Sequence, residues 1–431
     1  MALTGRHTYV GFGFGAIQAG LFLYEAFRSG HFARLVVAEV VPEAVDEVRR
    51  AGGEYRLNIA HADRIETVGI RPVEVYNPNV AEDRERLIEA LAEAHEIGAA
   101  VPSVAFYATK GPGSLHRVLA AGLARQIEQT DAQAVVYAAE NHNRAAEILE
   151  EHVLGAIPEA RRPAVRRRVQ FLNTVIGKMS GVVPEPAPSP LATITPRGRR
   201  AFLVEAFNRI LISKIHLPSF ERGIDVFDEK DDLLPFEEAK LFGHNATHAL
   251  GTYLGRLMGL EKMADLRCAA GVMGFLRDAF LKESGESLLR KHRGADRLFT
   301  PEGYADYAAD LLVRMTNPFL ADTVERVGRD PERKLGWDDR LVGTMRLALG
   351  QGLTPQRYAI GAAAAIAAIE AGFLKGSGPT AAAAEPLWAA AKPDPEERKT
   401  VLGLIEEGRR FLGRWSESGF PDLRKFFGEP R

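Results

Sequence analysis

Glycine recurs at every second position from Gly11 to Gly15, in Gly11-Phe-Gly-Phe-Gly-Ala-Ile-Gln-Ala-Gly20, directly after the apolar pair Tyr9-Val10. Such a run suits neither the body of a helix nor the interior of a strand, because glycine costs either of them roughly 0.5–1 kcal/mol relative to alanine. It suits a tight strand-to-helix turn, where the missing Cβ atoms let the backbone approach a bound group. The next helix then offers its N-terminal amides to that group, and a pyrophosphate fits such a turn well. The candidate contact residues are Gly11, Gly13, Gly15, Ala16, Ile17 and Gln18. Against the pattern G-x-G-x-x-G, Gly13 and Gly15 match, Gln18 takes the third place and Gly20 follows two residues later. The close helix packing that the third glycine normally permits must therefore be made differently. A purely structural turn is the alternative reading of the glycines.

The second apolar strand favours the nucleotide. Leu35-Val-Val-Ala-Glu39 ends in a carboxylate, close to the expected spacing of about 20 residues. A carboxylate there accepts hydrogen bonds from ribose hydroxyls and repels a 2′-phosphate, which favours NAD over NADP. Its bland reading is an exposed charge at a strand end. Further short apolar runs, Val101–Tyr107 and Ala134–Ala139, are separated by amphipathic stretches such as Arg84–Ile97. Strands apolar at nearly every position predict a parallel sheet covered by helices on both faces, a doubly wound Rossmann-type α/β domain. The Pro-rich stretch Val183–Pro190 cannot be regular helix or central strand. We place the domain change beside it, giving an NAD-binding domain over 1–198 and a mostly α-helical domain over 199–431. In the latter, the Ala-rich segments Ala362–Ala368 and Ala381–Ala384 suggest close-packed helices or, near Gly376–Pro379, a loop flank.

Composition removes several function classes. Lys+Arg 55 against Asp+Glu 57 leaves a net charge of -2, so no general electrostatic attraction to nucleic acid or anionic membrane is expected. The most apolar stretch, Ala359–Leu374, is interrupted by Glu370 and falls short of the ~18 apolar residues of a membrane span. The one cysteine, Cys268, cannot form an internal disulfide or a cysteine-based zinc cluster. No charged leader with a long apolar segment precedes Gly11, so the expectation is a cytoplasmic protein, monomeric or homodimeric, acting on a small molecule.

The densest chemical constellation is Leu234-Pro-Phe-Glu-Glu-Ala-Lys-Leu-Phe-Gly-His-Asn-Ala-Thr-His248. Pro235 suits a first helical turn and Glu237 and Glu238 suit its positive end, so a helix is expected from here towards Leu257. At ~100° per residue, Lys240, Asn245 and His248 fall within an arc of about 140° on one face. An amine that can lose its proton, a carboxamide that polarises an oxygen and an imidazole that orients a hydroxyl suit alcohol–ketone interconversion. Burial would lower the lysine's pKa towards neutrality and make it a base. His244 and His248 have the i, i+4 spacing of a zinc pair. Asn245 stands where a zinc peptidase has its glutamate, however, so no metal is expected. The bland reading makes Lys240 a solvated helix residue and the others packed or hydrogen-bonded side chains.

Lys240-x-x-x-x-Asn245-x-x-His248, with Lys240-Leu-Phe and Tyr253-Leu-Gly255 around it, resembles the signature of the polyol-specific long-chain dehydrogenase/reductase family. Ala139-Glu-Asn141, Leu172–Met179 and Asn317–Leu335 resemble further segments of that family in the right order, so the resemblance covers roughly residues 9 to 370. It implies a Rossmann domain followed by a helical domain, with polyol and nicotinamide meeting in the cleft. It makes Lys240 the general acid/base, Asn173 and Asn245 the holders of the reacting oxygen, His248 the substrate-orienting group and Glu237 a proton relay. It places Asn141 at the cofactor. Without it, Asn173 reads as an amide after the strand Val169–Leu172 that caps local backbone. Arg326, Arg329, Arg333 and Lys334 form a basic cluster suited to phosphate or carboxylate, or else a surface charge run partly paired with Asp330 and Glu332. The expected reaction is the NAD-dependent, metal-independent interconversion of mannitol 1-phosphate and fructose 6-phosphate. The alternatives are a free polyol or a hexuronate such as tagaturonate or fructuronate, and a noncatalytic nucleotide-binding protein. Gly243-His244 before Asn245, the Pro-rich stretch and the Ala-rich C-terminal region depart from the family pattern.

Overall fold

The computed structural model describes residues 5–184, 191–207, 209–376 and 378–428. Most of the expected Pro-rich break, 185–190, lies outside the described residues. The chain divides into two compact units, Met1–Leu234 and Pro235–Arg431, so the change of organisation falls later than the expected 198/199 boundary. The reason lies in strand pairing, because the segments after residue 198 complete the sheets of the first unit.

In chain order the strands are β1 His7–Phe12, β2 Phe32–Ala38, β3 Tyr55–Ala60, β4 Ile65–Ile70, β5 Glu74–Tyr76, β6 Ala94–Ala99, β7 Ala134–Ala138, β8 Val169–Val175, β9 Ser180–Pro184, β10 Arg200–Glu205, β11 Ile210–Ser213 and β12 Phe227–Lys230. An eight-stranded sheet has the order β12-β11-β8-β7-β6-β1-β2-β5. It is parallel except where β11 meets β8. From β1 the chain builds outward through β2 and β5, then returns to β6 on the other side. The reversal between β1 and β6 creates the crevice at strand carboxyl ends where doubly wound sheets bind ligands. Alternate residues serve the two faces. Tyr9, Leu35, Val37, Val135 and Tyr137 join one core, and Val10, Val36, Ala38, Ile97 and Val136 join the other.

Contrary to the sequence pattern, helices alone do not cover both faces. One face receives Leu87, Leu91, Leu119, Leu149 and Val153 from the helices Ala81–Ala92, Leu115–Gln129 and Ala145–Ala156. The other receives the helical segment Gln18–Ser29, which is itself covered by a second sheet of order β4-β3-β10-β9 through Tyr55, Leu57, Phe202 and Val204. Two further expectations shift. The helix ends at Ala92, and Ala94–Ala99, read as its continuation, is the central strand β6. Its Glu96 is fully buried, receiving hydrogen bonds from Tyr137 Oη (2.8 Å) and the Gly223 and Ile224 amides, so a charged residue sits where the pattern suggested solvent. The run Val101–Tyr107 is a loop with a short 3₁₀ turn at Val104–Phe106 rather than a strand. Its apolar character serves the core through buried Tyr107.

Regular structure in the described part of the second unit is helical, with one isolated bridge, Lys262–Thr323. The alanines expected to pack closely do so. The helix Gln356–Ile369 buries Ala359 and Ala362–Ala365, and a Cβ on Gly408 of the helix Pro395–Glu417 would lie 2.7 Å from the Ala359 carbonyl. Among the described residues no helix is long and apolar enough to cross a membrane.

Gly20 makes the packing that the third glycine of the turn was expected to surrender. A Cβ there would lie 2.4 Å from Val204 Cγ1 and 3.2 Å from Leu57 Cδ1. Gly20→Ala is expected to lower stability by about 1–3 kcal/mol through overpacking against β10. Denaturant midpoints measure it, and an unchanged midpoint would contradict this packing.

Candidate functional site

In the first unit the glycine turn leaves the carboxyl end of β1 with Gly13 in the left-handed region (φ 82°), donating its amide to the Ala38 carbonyl at 2.9 Å. A Cβ on Gly13 would lie 2.7 Å from the Ala100 carbonyl oxygen, so the turn nestles between the ends of β2 and β6. Gly15 has no neighbour within 4 Å of the Cβ position, which leaves open space at the start of the following helical segment. Gln18 does not face that space. It is fully buried, packs back over Gly11 and donates from Nε2 to Tyr9 Oη at 2.7 Å. The segment Gln18–Leu23 is a π-turn that continues as the α-helix Tyr24–Ser29.

Glu39 lies where the spacing placed it, at the end of β2. Its Oε2 accepts the Phe14 amide and its Oε1 the Val41 amide, both at 2.8 Å, so the carboxylate ties the glycine turn to the loop after β2. Asn141 lies just past the end of β7, exposed, beside a residue that sequence reasoning missed. Glu140 is buried and accepts from the Val101 amide at 2.8 Å and from Tyr107 Oη, and burial raises its carboxyl to about 7. It closes the loop after β6 onto the end of β7. Asn173 lies within β8 rather than after it. Its Oδ1 accepts the Ala146 amide at 2.8 Å and its Nδ2 donates to Glu147 at 2.9 Å, holding the first turn of the helix Ala145–Ala156. The cap is not on local backbone, as its residue type alone suggested, but on a helix start 27 residues earlier in the chain.

The helix expected from Pro235 towards Leu257 is interrupted. An α-helical turn, Leu234–Glu238, passes into a π-helical segment, Ala239–Asn245, before the α-helix Ala246–Leu257. In an i→i+5 turn a residue lies nearly above the one five positions earlier, so Lys240 and Asn245 align more closely than α-geometry predicts. Lys240 is mostly buried; removal from water and the nearby Arg340 guanidinium lower its ammonium to about 8, against the opposing pull of Glu237. His248 is held neutral, lowered to about 3 by burial and then by Arg326, Arg340, Lys334 and Arg314. Its Nε2 is buried without a hydrogen-bond partner among the described residues. His244 is fully inside, against Tyr307, and burial pushes it well below the usual imidazole range.

The basic run divides. Lys334 turns inward, 4% exposed, with its ammonium on the Arg329 carbonyl and its charge over the Tyr253 ring. Burial and then Arg340 lower it to about 8. Arg326 lies at the surface near His248 and pairs with Asp322, not with Asp330 or Glu332. The side chains of Arg329 and Arg333 are exposed. Sequence reasoning missed Arg340 and Arg314. Arg340 lies in Asp338-Asp339-Arg340, which reads as a solvated charge run and carries no periodic signal. The second unit thus gathers a lysine with lowered pKa, a carboxamide and a neutral imidazole among cations, a donor set for an oxygen-rich anion.

A Rossmann sheet with a glycine turn, followed by a helical unit with this lysine, amide and imidazole, defines a dehydrogenase of the alcohol–ketone class. Two family models match the chain, the mannitol dehydrogenase Rossmann domain over residues 7–221 and the mannitol dehydrogenase C-terminal domain over residues 232–400. The chain belongs to the mannitol dehydrogenase family. It is 30% identical over 338 residues to a mannitol-1-phosphate 5-dehydrogenase of Geobacillus stearothermophilus, covering 78% of this chain and 80% of the relative. Among solved structures, Pseudomonas fluorescens mannitol 2-dehydrogenase in ternary complex with NAD and D-mannitol is similar in fold (TM-score 0.65, 16% identity, covering 100% of this chain and 96% of that one). So is a substrate-free D-sorbitol dehydrogenase (TM-score 0.73, 15% identity, 95% and 94% covered).

At pH 7 a lysine of pKa about 8 is roughly 10% neutral, against roughly 0.03% for an ordinary lysine. The Lys240 and Lys334 ammonium groups should therefore lose their protons far ahead of the exposed lysines. Side-chain nitrogen NMR across a pH series should show midpoints near pH 8 at these two. Titration of both with the exposed lysines would contradict the desolvated site.

Proposed function

We propose that the protein interconverts a polyol phosphate and its ketose phosphate with NAD, with mannitol 1-phosphate and fructose 6-phosphate as the first pair to test. The single observation that carries this reading is a lysine lowered to about 8 and a neutral imidazole on one helical run, both under the charge of Arg340. The Geobacillus relative's name adds the phosphorylated substrate.

The residues of the first unit fit a dinucleotide. The open space at Gly15 and the amides at Ala16, Ile17 and Gln18 suit a pyrophosphate. Each Glu39 oxygen keeps a lone pair for a ribose hydroxyl after accepting one amide. Asn141 stands at the same carboxyl edge of the sheet. NAD, when bound, supplies the hydride acceptor and, in its reduced form, the donor.

Lys240 in its neutral form takes the proton of the reacting hydroxyl in oxidation, and as the ammonium returns it in reduction. Asn245 donates to the same oxygen and stabilises the negative charge that develops as the proton leaves. Asn173, in the first unit, keeps its second Nδ2 hydrogen while the first holds Glu147. His248 presents the unpartnered Nε2 to a neighbouring substrate hydroxyl and fixes which carbon faces the lysine. Glu237, which favours the charged lysine, passes the proton on to water. Arg326, Arg329 and Lys334 supply positive charge for the phosphate. None of these roles calls for a metal, since amides and lysine carry the oxygen's charge. A hexuronate carboxylate would meet the same cations, so substrate competition separates the two anions.

The test measures NADH formation and consumption by purified protein, with a chelator present, across mannitol 1-phosphate, fructose 6-phosphate, mannitol, fructose, tagaturonate and fructuronate. Selectivity for the phosphorylated pair is the expected result, and selectivity for a free polyol or uronate would overturn the substrate. Because the lysine must be neutral to accept a proton, kcat/KM for oxidation should rise with pH and level off above about 8, with reduction falling over the same range. Lys240→Ala should lose about 10²–10⁴-fold in kcat, the usual worth of a general base, while still binding NADH. Full turnover in that variant would remove the lysine from the mechanism.

A further inference from the structure

One cation of the second unit has no part in the chemistry above. The Arg340 side chain is 12% exposed, just ahead of the helix Val342–Gly350. Its Nε donates to Asp339 Oδ1 at 2.7 Å, and the same oxygen accepts the Arg340 backbone amide at 2.6 Å. Asp339 therefore holds the guanidinium by one edge. Among the described residues no hydrogen bond engages Nη1 or Nη2.

Backbone packing decides where that guanidinium sits. The Thr344 hydroxyl, fully buried, lies 3.1 Å from the Phe242 carbonyl and 2.5 Å from the Arg340 carbonyl. A Cβ on Gly343 would stand 2.8 Å from the Phe242 ring. Phe242 lies between Lys240 and Asn245 on the π-helical segment. Thr344 and Gly343 thus bind the Arg340 backbone to the turn that carries the reacting lysine and amide. The neighbouring cations are otherwise engaged, Arg326 with Asp322 and the Lys334 ammonium with the Arg329 carbonyl.

We propose that Arg340 receives the phosphate ester of the substrate on Nη1 and Nη2 and selects phosphorylated over free polyol. The inference rests on the phosphorylated-substrate reading above. Two parallel N–H donors match two phosphate oxygens, and a site largely closed to water strengthens the pairing. The same geometry discriminates against a free polyol. Arg340 disfavours the charged forms of Lys240, Lys334 and His248, so an uncharged substrate leaves the repulsion among these groups unrelieved.

The experiment compares wild type, Arg340→Met and Arg340→Lys on fructose 6-phosphate, fructose and fructuronate with NADH across a pH series. Arg340→Met is expected to lower the kcat/KM ratio of fructose 6-phosphate to fructose by roughly 30-fold or more, mostly through KM, as loss of a desolvated charged hydrogen bond does. Arg340→Lys keeps the charge but not the fork and should lower the ratio by about tenfold, and it carries the test should the methionine variant fail to fold. The methionine variant should also move the lysine-dependent limb of the pH profile upward, since a neighbouring positive charge is gone. A ratio held within about threefold in both variants overturns the assignment to Arg340 while the phosphate reading stands. A wild type without preference for the phosphate ester overturns both. A wild type that prefers fructuronate and loses that preference in the variants places a carboxylate on the fork and overturns the phosphate assignment.

Discussion

Repulsion among cations withdrawn from water is the constraint around which the second unit is organised. Lys240, Lys334, Arg314 and Arg340 are all mostly or fully shielded, and each lysine is driven towards its neutral form by burial and by Arg340. Such a cluster persists only where the surrounding structure holds it. Here the holding elements are Asp339 on Arg340, the Arg329 carbonyl on Lys334, Asp310 on Arg314 and the Thr344 hydroxyl between two backbones. An anion placed among these groups would relieve the remaining repulsion.

The first unit uses the opposite device, buried or half-buried polar acceptors that gather backbone amides at strand ends. Glu39 takes the amides of Phe14 and Val41, Glu140 that of Val101, Glu96 those of Gly223 and Ile224, and Asn173 that of Ala146. Three of these groups, Glu39, Glu140 and Asn173, stand at the carboxyl side of the parallel strands, where the chain must turn sharply and leave amides unpaired by the ladder. These hydrogen bonds fix the loops at the carboxyl edge of the sheet.

Much of this is legible from residues alone, for reasons that can be named. Gly11–Gly15 and Glu39 announce the turn and the acidic strand end because glycine conformation and charge spacing are local properties. Lys240, Asn245 and His248 fall on one face because helical periodicity is local too, although nothing in the spacing reveals the π-helical segment that aligns them. The misreadings share a cause. Strand β6 is hidden by a buried Glu96, the loop Val101–Tyr107 by apolar residues that serve the core, and the unit boundary by strands that pair with partners far back in the chain. Each depends on contacts distant in sequence, which no periodicity records.

By itself, then, the sequence determined the α/β organisation of the first unit, the helical character of the second, the glycine turn after the first strand and the placing of Lys240, Asn245 and His248 on one helical run, since local spacing suffices for these. Tertiary structure alone decided that Gly20 and not residue 18 makes the close packing, that Asn173 caps a helix, and which members of the basic run face inward. It also brought Arg340, a hundred residues downstream in an unremarkable charge run, beside Lys240. Charge proximity is set by packing in three dimensions, and an arginine that solvates and one that lies near a buried lysine are the same letter until the chain has folded.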